Sequence, residues 1–288
     1  MTVWSAPAGL RIIPPDFSQQ PDLPPMQTQW IDIGLNLTDS SFRNDIEAVL
    51  ERAVAQGVGK MVVTGTSIAE SEQAVQLCQQ YSELLCCTAG VHPHDAKSFS
   101  TATANTLRDL YKEPCVVAVG ETGLDFNRNF STPEQQIKAF EVQLELAAES
   151  GLPLFLHERD AFKTQFEMLK SYRDQISNAV AHCFTGEKDA LYGYLDLDLH
   201  IGITGWICDE RRGTHLHPLL KDIPPERLML ETDAPYLLPR DIKPKPKSRR
   251  NEPYHLPHIA RKVATLLDKP EEQLSAETLA NTQRFFNL

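Results

Sequence analysis

The sequence predicts a (β/α)8 TIM barrel, a single α/β domain over residues 30–288 preceded by a proline-rich arm over residues 1–29. Eight short, apolar, β-branched runs follow one another along the chain, as buried parallel strands do. Most gaps between these runs carry an amphipathic helical pattern, which indicates repeated βα units. Four of the runs end in a residue that can bind a metal ion or carry a proton. In a closed barrel such residues meet at the carboxyl ends of the strands, where the active site lies.

The elements can be assigned in order from Trp30. The eight strand candidates are WIDIGL, KMVVTG, LCCTAGV, CVVAVGE, LPLFLHE, NAVAHCF, LHIGIT and RLMLETD. The helical patterns between them are DIEAVLERAVAQ, SEQAVQLCQQY, ATANTLRDLY, PEQQIKAFEVQLELAAES and DAFKTQFEMLKSY, with a short helix around His215–Leu220. Helices around Leu256–Leu267 and Glu271–Phe286 close the chain. No Gly-rich phosphate loop follows any strand, which disfavours an open, doubly wound, dinucleotide-binding sheet.

The arm and the overall composition narrow the class of protein. Residues 1–29 are rich in Pro and Gln without periodicity, which is typical of an extended segment. A net charge of −11 over 288 residues excludes a basic nucleic-acid coat, although a local basic patch or a bound cation can still receive a polyanion. Six cysteines without a CxxC pair indicate reduced thiols and a cytoplasmic location. Neither a run of about 18 apolar residues nor a secretory signal pattern is present, so we expect no membrane association.

Four strand ends carry the candidate chemistry: Glu121, His157, His182 and Asp233. A carboxylate between two imidazoles can hold one ion or bridge two, and two ions about 3.5–4 Å apart stabilise both oxygens of a phosphoryl displacement. Carboxylates with few imidazoles suit Mg²⁺ or Mn²⁺, with Zn²⁺ as an alternative.

Several longer strings resemble the TatD family, metal-dependent deoxyribonucleases among the amidohydrolase-like TIM barrels. They are DIGLNLT, GVHPHD, VGETGLDFNRNFSTPEQQ, HCFTG, GITGWICDERRG, ETDAPYLLPRD and SRRNEP. The resemblance extends from Ile31 to the end of the chain. It implies that Glu121, His157 and His182 bind a divalent cation and that Asp233 completes the site as a ligand or base.

The chain departs from the wider superfamily at the first strand. Many of these barrels begin with an HxH pair that holds a second metal, and the matching residues here are Gly34 and Asn36. We therefore predict one firm metal site and one conditional site, the latter suited to a water-rich ion such as Mg²⁺.

Other residues have competing interpretations. His92 is a candidate phosphate contact or a structural residue, whereas His94 is predicted to be structural. Trp206 either stacks on a base or covers the barrel mouth. The basic segment 240–252 is predicted to clamp phosphates through Arg249 and Arg250. We expect His215 and His217 to be unrelated to the site, His200 to lie at the surface, and Cys183 to point away from His182.

The favoured function is a metal-dependent deoxyribonuclease that trims single-stranded DNA from an end, with RNA as a further candidate substrate. Asp233 and Glu121 are its candidate catalytic residues, and nucleic acid is its expected partner, with the protein acting as a monomer. One alternative is a metal-dependent hydrolase of an amide, ester or lactone bond. The other is a non-catalytic partner or scaffold protein, for which the proline-rich arm is the main support.

Overall fold

The computed structural model describes residues 29–288, and within them eight parallel strands form one sheet in sequence order. The strands are β1 (Trp30–Leu35), β2 (Val58–Val63), β3 (Leu85–Ala89), β4 (Val116–Asp125), β5 (Leu154–Arg159), β6 (Ala179–Ala181), β7 (His200–Ile203) and β8 (Leu228–Leu230). The chain just after β8 returns to β1: the Asn36 N–H donates to Ala234 O at 2.6 Å, and the Asp233 N–H donates to Gly34 O at 2.9 Å. These bonds close the sheet, and the predicted (β/α)8 barrel is confirmed.

Helices alternate with the strands. They are α1 (Ile46–Ala55), α2 (Ile68–Gln80), α3 (Thr101–Leu110), α4 (Pro133–Ser150), α5 (Phe162–Tyr172), α6 (Lys188–Asp196), α7 (Leu216–Leu219), α8 (Leu256–Leu267) and α9 (Glu271–Phe286). Local sequence sets several of their starts. Thr132 and Gln135 form a reciprocal capping box at α4, with Pro133 in its first turn, so backbone N–H groups that would otherwise lack partners are satisfied. After β7 the chain forms a short 3-10 helix, Gly205–Cys208, before the single turn of α7.

Two apolar layers hold the barrel. The larger lies between strands and surrounding helices, and the smaller fills the barrel interior with Ile33, Val62, Cys86, Val117, Ala118, Phe155, Val180, Met229, Phe285 and Phe286. Phe285 and Phe286 come from the last turn of α9, which closes the amino end of the barrel. Chemistry is thereby restricted to the opposite, carboxyl end.

The prediction that His200 lies at the surface is wrong. His200 begins β7 at the amino end of the barrel and is 5% exposed, because α9 covers that end. Its ring packs edge-on against Phe285, with centroids 5.0 Å apart. Burial lowers the pKa of His200 to about 4.

Residues 1–28, nearly all of the predicted arm, lie outside the described residues. Gln29 contacts α9 through its backbone N–H, which donates a hydrogen bond to Ser275 Oγ at 3.0 Å. In the part of the chain that is described, each helix is too short or too polar to cross a bilayer.

Candidate metal centre

A cavity of about 490 Å³ opens at the carboxyl ends of the strands. Every strand supplies a lining residue near or just beyond its carboxyl end: Asn36 (β1), Thr66 (β2), His92 and His94 (β3), Glu121 and Asp125 (β4), His157 (β5), His182 (β6), Trp206 (β7) and Asp233 (β8). All four predicted metal residues therefore face one space, together with His92 and Trp206. Of the other predicted site residues, Arg249 and Arg250 are not among the lining residues.

Glu121 is the centre of this cluster. Its Oε1 lies 3.0 Å from His157 Nδ1 and 2.9 Å from His182 Nε2, and 3.4 Å from His92 Nε2. Burial alone would raise the pKa of Glu121, but the surrounding imidazoles outweigh it and hold that pKa well below its usual range. The carboxylate is thus ionised and points at three imidazole nitrogens.

His182 is held from its other side by Glu231, a residue that the sequence analysis did not single out. His182 Nδ1 lies 3.1 Å from Glu231 Oε2, and the Cys183 N–H donates to Glu231 Oε1. Burial would lower the pKa of His182, but Glu121 and Glu231 outweigh it and raise that pKa well above its usual value. A carboxylate behind a ligand imidazole fixes the ring orientation and makes the free nitrogen more basic.

Gly34, which the sequence analysis matched to the first histidine of an HxH pair, makes room for Glu231. A Cβ at Gly34 would lie 2.5 Å from Glu231 Oε2 and 2.9 Å from Phe155 Cζ, and a Cβ at Gly202 would lie 2.6 Å from Glu231 Oε1. Phe155 itself stacks on His182, with ring centroids 4.6 Å apart. The space available to a first-strand side chain is therefore occupied by the two groups that support His182.

Asp125 is a second carboxylate that the sequence analysis missed. Its Oδ2 lies 2.8 Å from His94 Nε2 and 3.4 Å from His157 Nε2. Burial opposes ionisation of Asp125, but the nearby His157 imidazole, the Arg128 N–H and His94 together outweigh it, so the pKa of Asp125 is lowered. His94 was predicted to be structural; it lines the cavity and pairs with Asp125, while its N–H donates to His92 Nδ1 at 3.1 Å.

Asp233 completes the floor of the cavity. Asn36 Nδ2 donates to Asp233 Oδ1 at 3.0 Å, which fixes the carboxyl group. The pKa of Asp233 is raised to about 7, mainly by burial. The charge of His182 lowers this pKa, but burial and the negative charges of Glu121 and Glu231 together outweigh it. Its backbone is left-handed, with φ of 53°, a costly conformation that is common at functional sites.

Cys183 does not point away from the site as expected. β6 ends at Ala181, and Cys183 has φ of 46°, so the alternation of side chains along a strand no longer applies there. Its thiol lines the cavity, 3.7 Å from Thr204 Oγ1.

The donor set fits a divalent cation. One ligand atom each of His92, Glu121 and His157 lies within 4.8 Å of the others. His157 Nε2 is buried and makes no hydrogen bond of normal geometry in the described part of the chain, although Asp125 Oδ2 lies 3.4 Å away; an unsatisfied buried nitrogen of this kind can accept a ligand. Imidazole nitrogens combined with carboxylate oxygens suit Zn²⁺ and Mn²⁺ as well as Mg²⁺.

The rim of the cavity is chemically two-sided. Arg128, Arg159 and Trp206 lie in the segments after β4, β5 and β7, whereas Asp39, Glu70 and Asp95 lie in the segments after β1, β2 and β3. The guanidinium groups of Arg159 and Arg212 lie over the Trp206 ring, 5.8 Å and 4.3 Å from its centroid. Phe130 and Tyr236 also line the cavity although they are 56% and 54% exposed.

Arg250 lies elsewhere, held by acidic partners. Its Nη2 lies 2.7 Å from Asp45 Oδ2 and 2.6 Å from Glu252 Oε1, and its guanidinium covers the ring of Phe42. Arg249 is exposed. The sequence located this basic loop next to β8 but could not show that Asp45, at the start of α1, neutralises Arg250.

The HxH string His215–His217 lies outside the lining residues. The rings contact backbone carbonyls: His215 lies 3.0 Å from Arg212 O and 3.1 Å from Thr185 O, and His217 lies 3.1 Å from Ile207 O. These contacts hold the segment after β7 in place through nearby backbone carbonyls.

Comparison with known proteins agrees with this geometry. The family model described as TatD related DNase matches residues 31–287. The chain is 54% identical to the "3'-5' ssDNA/RNA exonuclease TatD" of Klebsiella pneumoniae, over 89% of this chain and 97% of that protein. It is 53% identical to the protein of the same name from Edwardsiella piscicida, over 90% and 99% of the two chains. Among solved structures, a TatD family hydrolase from Entamoeba histolytica has a TM-score of 0.82 at 28% identity, with 90% and 98% of the two chains covered. The TatD homologue YjjV of Escherichia coli likewise has a TM-score of 0.82 at 28% identity, with coverage of 91% and 100%. The chain therefore belongs to the TatD related DNase family.

Proposed function

We propose that the protein is a metal-dependent exonuclease that removes nucleotides from the 3′ end of single-stranded DNA and RNA. The observation that carries this proposal is the convergence of three imidazoles on Glu121 Oε1 in a cavity with arginines on its rim. Relatives that are more than half identical over nearly their whole length are named for this activity.

Glu121, His157, His182 and Asp233 are the proposed metal ligands, with Mg²⁺ as the preferred ion and Mn²⁺ or Zn²⁺ as alternatives. A bound divalent cation lowers the pKa of a water and neutralises charge on the phosphate oxygens. We place the second, conditional position at Glu121, Asp233 and Asn36, because Gly34 has no side chain to contribute. All proposed ligands come from one chain, so a monomer can carry the activity.

Asp233 is the proposed general base. Its carboxyl group is fixed through Oδ1 by Asn36 and lies in the same cavity as His182 and Glu121. It can position the attacking water and accept its proton, and this kind of catalysis contributes about 10²–10⁴-fold in rate. His92, with its Nε2 near Glu121, is the proposed contact for the scissile phosphate.

The two-sided rim defines a path for the strand. The acidic side repels phosphates, and burial together with Asp95, Glu121 and Asp39 even raises the pKa of Glu70. A polyanion is therefore expected to approach over Arg128 and Arg159. Trp206, whose ring lies near the guanidinium groups of Arg159 and Arg212, is the proposed base-stacking surface. In this proposal Arg249 contributes only long-range charge, and Arg250 serves mainly to hold its loop.

The test uses single strands labelled at the 5′ or the 3′ end, with Mg²⁺ or with chelator, beside the Glu121→Ala variant. We expect 3′-label to be released first, no cleavage with chelator, and a loss of at least about 100-fold in Glu121→Ala. Glu83→Ala, a change of an exposed carboxylate, is the matched control. A panel of acyl substrates at the same metal concentration should remain uncleaved. Cleavage of acyl substrates but not of oligonucleotides would overturn the proposal.

A further inference from the structure

Cys208, Asp241 and His258 form a second cluster of metal-binding side chains, separate from the candidate centre. One ligand atom from each lies within 4.8 Å of the other two. The three residues come from different elements: Cys208 ends the 3-10 helix after β7, Asp241 follows β8, and His258 lies in the first turn of α8. None of the three lines the barrel-mouth cavity.

We propose that these three residues bind a divalent cation of the Zn²⁺ class and that the ion fastens the loop after β8 to the barrel. Cysteine, histidine and aspartate are all ligands that Zn²⁺ accepts, and three protein ligands plus water complete a tetrahedron. Metal–ligand bonds of about 2.0–2.3 Å place tetrahedral donors about 3.3–3.8 Å apart. Donors already within 4.8 Å of one another reach that arrangement by small side-chain rotations.

Charge and burial favour an ion at this place. The cysteine is 2% exposed, while the side chains of Asp241 and His258 are 35% and 30% exposed, so the cluster has a dry side and an entry side. Asp241 Oδ1 lies 2.7 Å from His258 Nε2. One thiolate and one carboxylate neutralise a doubly charged cation, which removes the penalty of a net charge in a half-buried position. Binding replaces the thiol proton and releases it to solvent.

The position of the cluster explains what the ion would do. The Gly205–Cys208 helix is packed tightly on the segment before Asp241, since a Cβ at Gly205 would lie within 3.2 Å of Pro239 Cδ. That helix also carries Trp206, which lines the cavity mouth. An ion between Cys208, Asp241 and His258 joins the ends of β7 and β8 to α8. It would thereby restrain the basic loop 243–250, whose lysines are exposed.

The test is titration of chelator-treated full-length protein with Co²⁺, followed by absorbance. A thiolate ligand gives an intense near-ultraviolet charge-transfer band that the oxygen and nitrogen donors of the barrel-mouth centre do not give. We expect this band in the wild-type protein and its loss in Cys208→Ser. We expect it to persist in Glu121→Ala, in Cys183→Ser and in Cys78→Ser, which removes a thiol from the buried group Cys78, Cys87 and Cys115.

Two further variants keep the thiol and guard against a folding failure of Cys208→Ser. His258→Ala and Asp241→Asn should each weaken, by at least about tenfold, the affinity of the Co²⁺ site that gives the charge-transfer band. Zn²⁺ should also slow tryptic cleavage after Lys247 in the wild-type protein but not in His258→Ala. The inference is overturned by absence of the band in the wild-type protein, by its loss in Cys78→Ser or Cys183→Ser instead, or by unchanged affinity in both thiol-retaining variants.

Discussion

Replacing Gly34 by alanine tests whether the support of His182 controls metal binding. The new Cβ would lie 2.5 Å from Glu231 Oε2 and 2.9 Å from Phe155 Cζ. Glu231 would have to move by roughly 0.5–0.9 Å to restore ordinary packing, and overpacking of this kind costs about 1–3 kcal/mol in the free energy of unfolding. Both displaced groups touch His182, through a 3.1 Å hydrogen bond and a stacked ring.

The expected result is weaker metal binding together with lower stability. Loss of a carboxylate partner behind a ligand histidine weakens metal affinity by about 10–100-fold, which is about 1.4–2.7 kcal/mol. Isothermal titration of the chelator-treated protein with Mn²⁺ measures the affinity, and urea unfolding in chelator measures the free energy of unfolding. Gly59→Ala is the matched control, because a Cβ there meets no atom within 4 Å.

A double-mutant cycle identifies the mediator. In a Glu231→Ala background the carboxylate that collides with residue 34 is gone, so Gly34→Ala should have little further effect on Mn²⁺ affinity. Wild-type affinity in the single Gly34→Ala variant would refute the assigned role of Glu231. Full additivity of the two substitutions would show that Gly34 acts through something else.

Four other substitutions test separate parts of the site and fold. Asp233→Asn should slow single-turnover cleavage at saturating metal by about 10²–10⁴-fold with little change in melting temperature; a rate near wild type would remove it as the base. Arg159→Glu should weaken binding of a fluorescent single strand and reduce its salt dependence, measured by anisotropy. Arg250→Glu should instead lower the melting temperature, because it places a third carboxylate beside Asp45 and Glu252 and leaves Arg52 as their arginine partner; the opposite pattern would place the phosphate contacts on the basic loop. His200, whose pKa is lowered to about 4 by burial, stays neutral in the folded state between pH 6.5 and 4 while the unfolded chain takes up a proton. The free energy of unfolding should therefore decrease as the pH is lowered from 6.5 to 4, by at most about 3 kcal/mol. His200→Leu should flatten this pH dependence in chelator-containing buffer; an unchanged slope would assign the acid sensitivity to other groups.

The sequence was sufficient to predict the barrel and to identify the residues that lie at the ends of its strands. Glu121, His157, His182 and Asp233 each follow an apolar run, and parallel closure brings the ends of such runs together. The two missed carboxylates had a weaker signal of the same kind. Asp125 lies four residues beyond Glu121 on β4, so it shares that residue's side of the strand. Glu231 and Asp233 both lie beyond the end of β8, where strand alternation no longer applies, so the signal for Glu231 was only its place directly after an apolar run.

Pairings between distant segments could not be read from the sequence. Arg250 was assigned to phosphates because it lies in a basic run, yet its partner Asp45 is 205 residues away. His200 was assigned to the surface because strand starts often are exposed, yet α9 returns from the far end of the chain to cover it. In both cases the deciding contact depends on how the last elements pack on the first.

The junction of β8 and β1 links barrel closure to the chemistry of the site. Thr232, between Glu231 and Asp233, donates its N–H to Asp32 Oδ1 at 2.9 Å, and the backbone of Asp233 donates to Gly34 O. The same junction therefore sets the carboxylate behind His182 and the carboxylate proposed as the base. A site fixed by strand pairing keeps its geometry better than one fixed by loops. Glu121, on the long strand β4 across the barrel, supplies a second fixed point, so strand pairing holds both sides of the cavity floor.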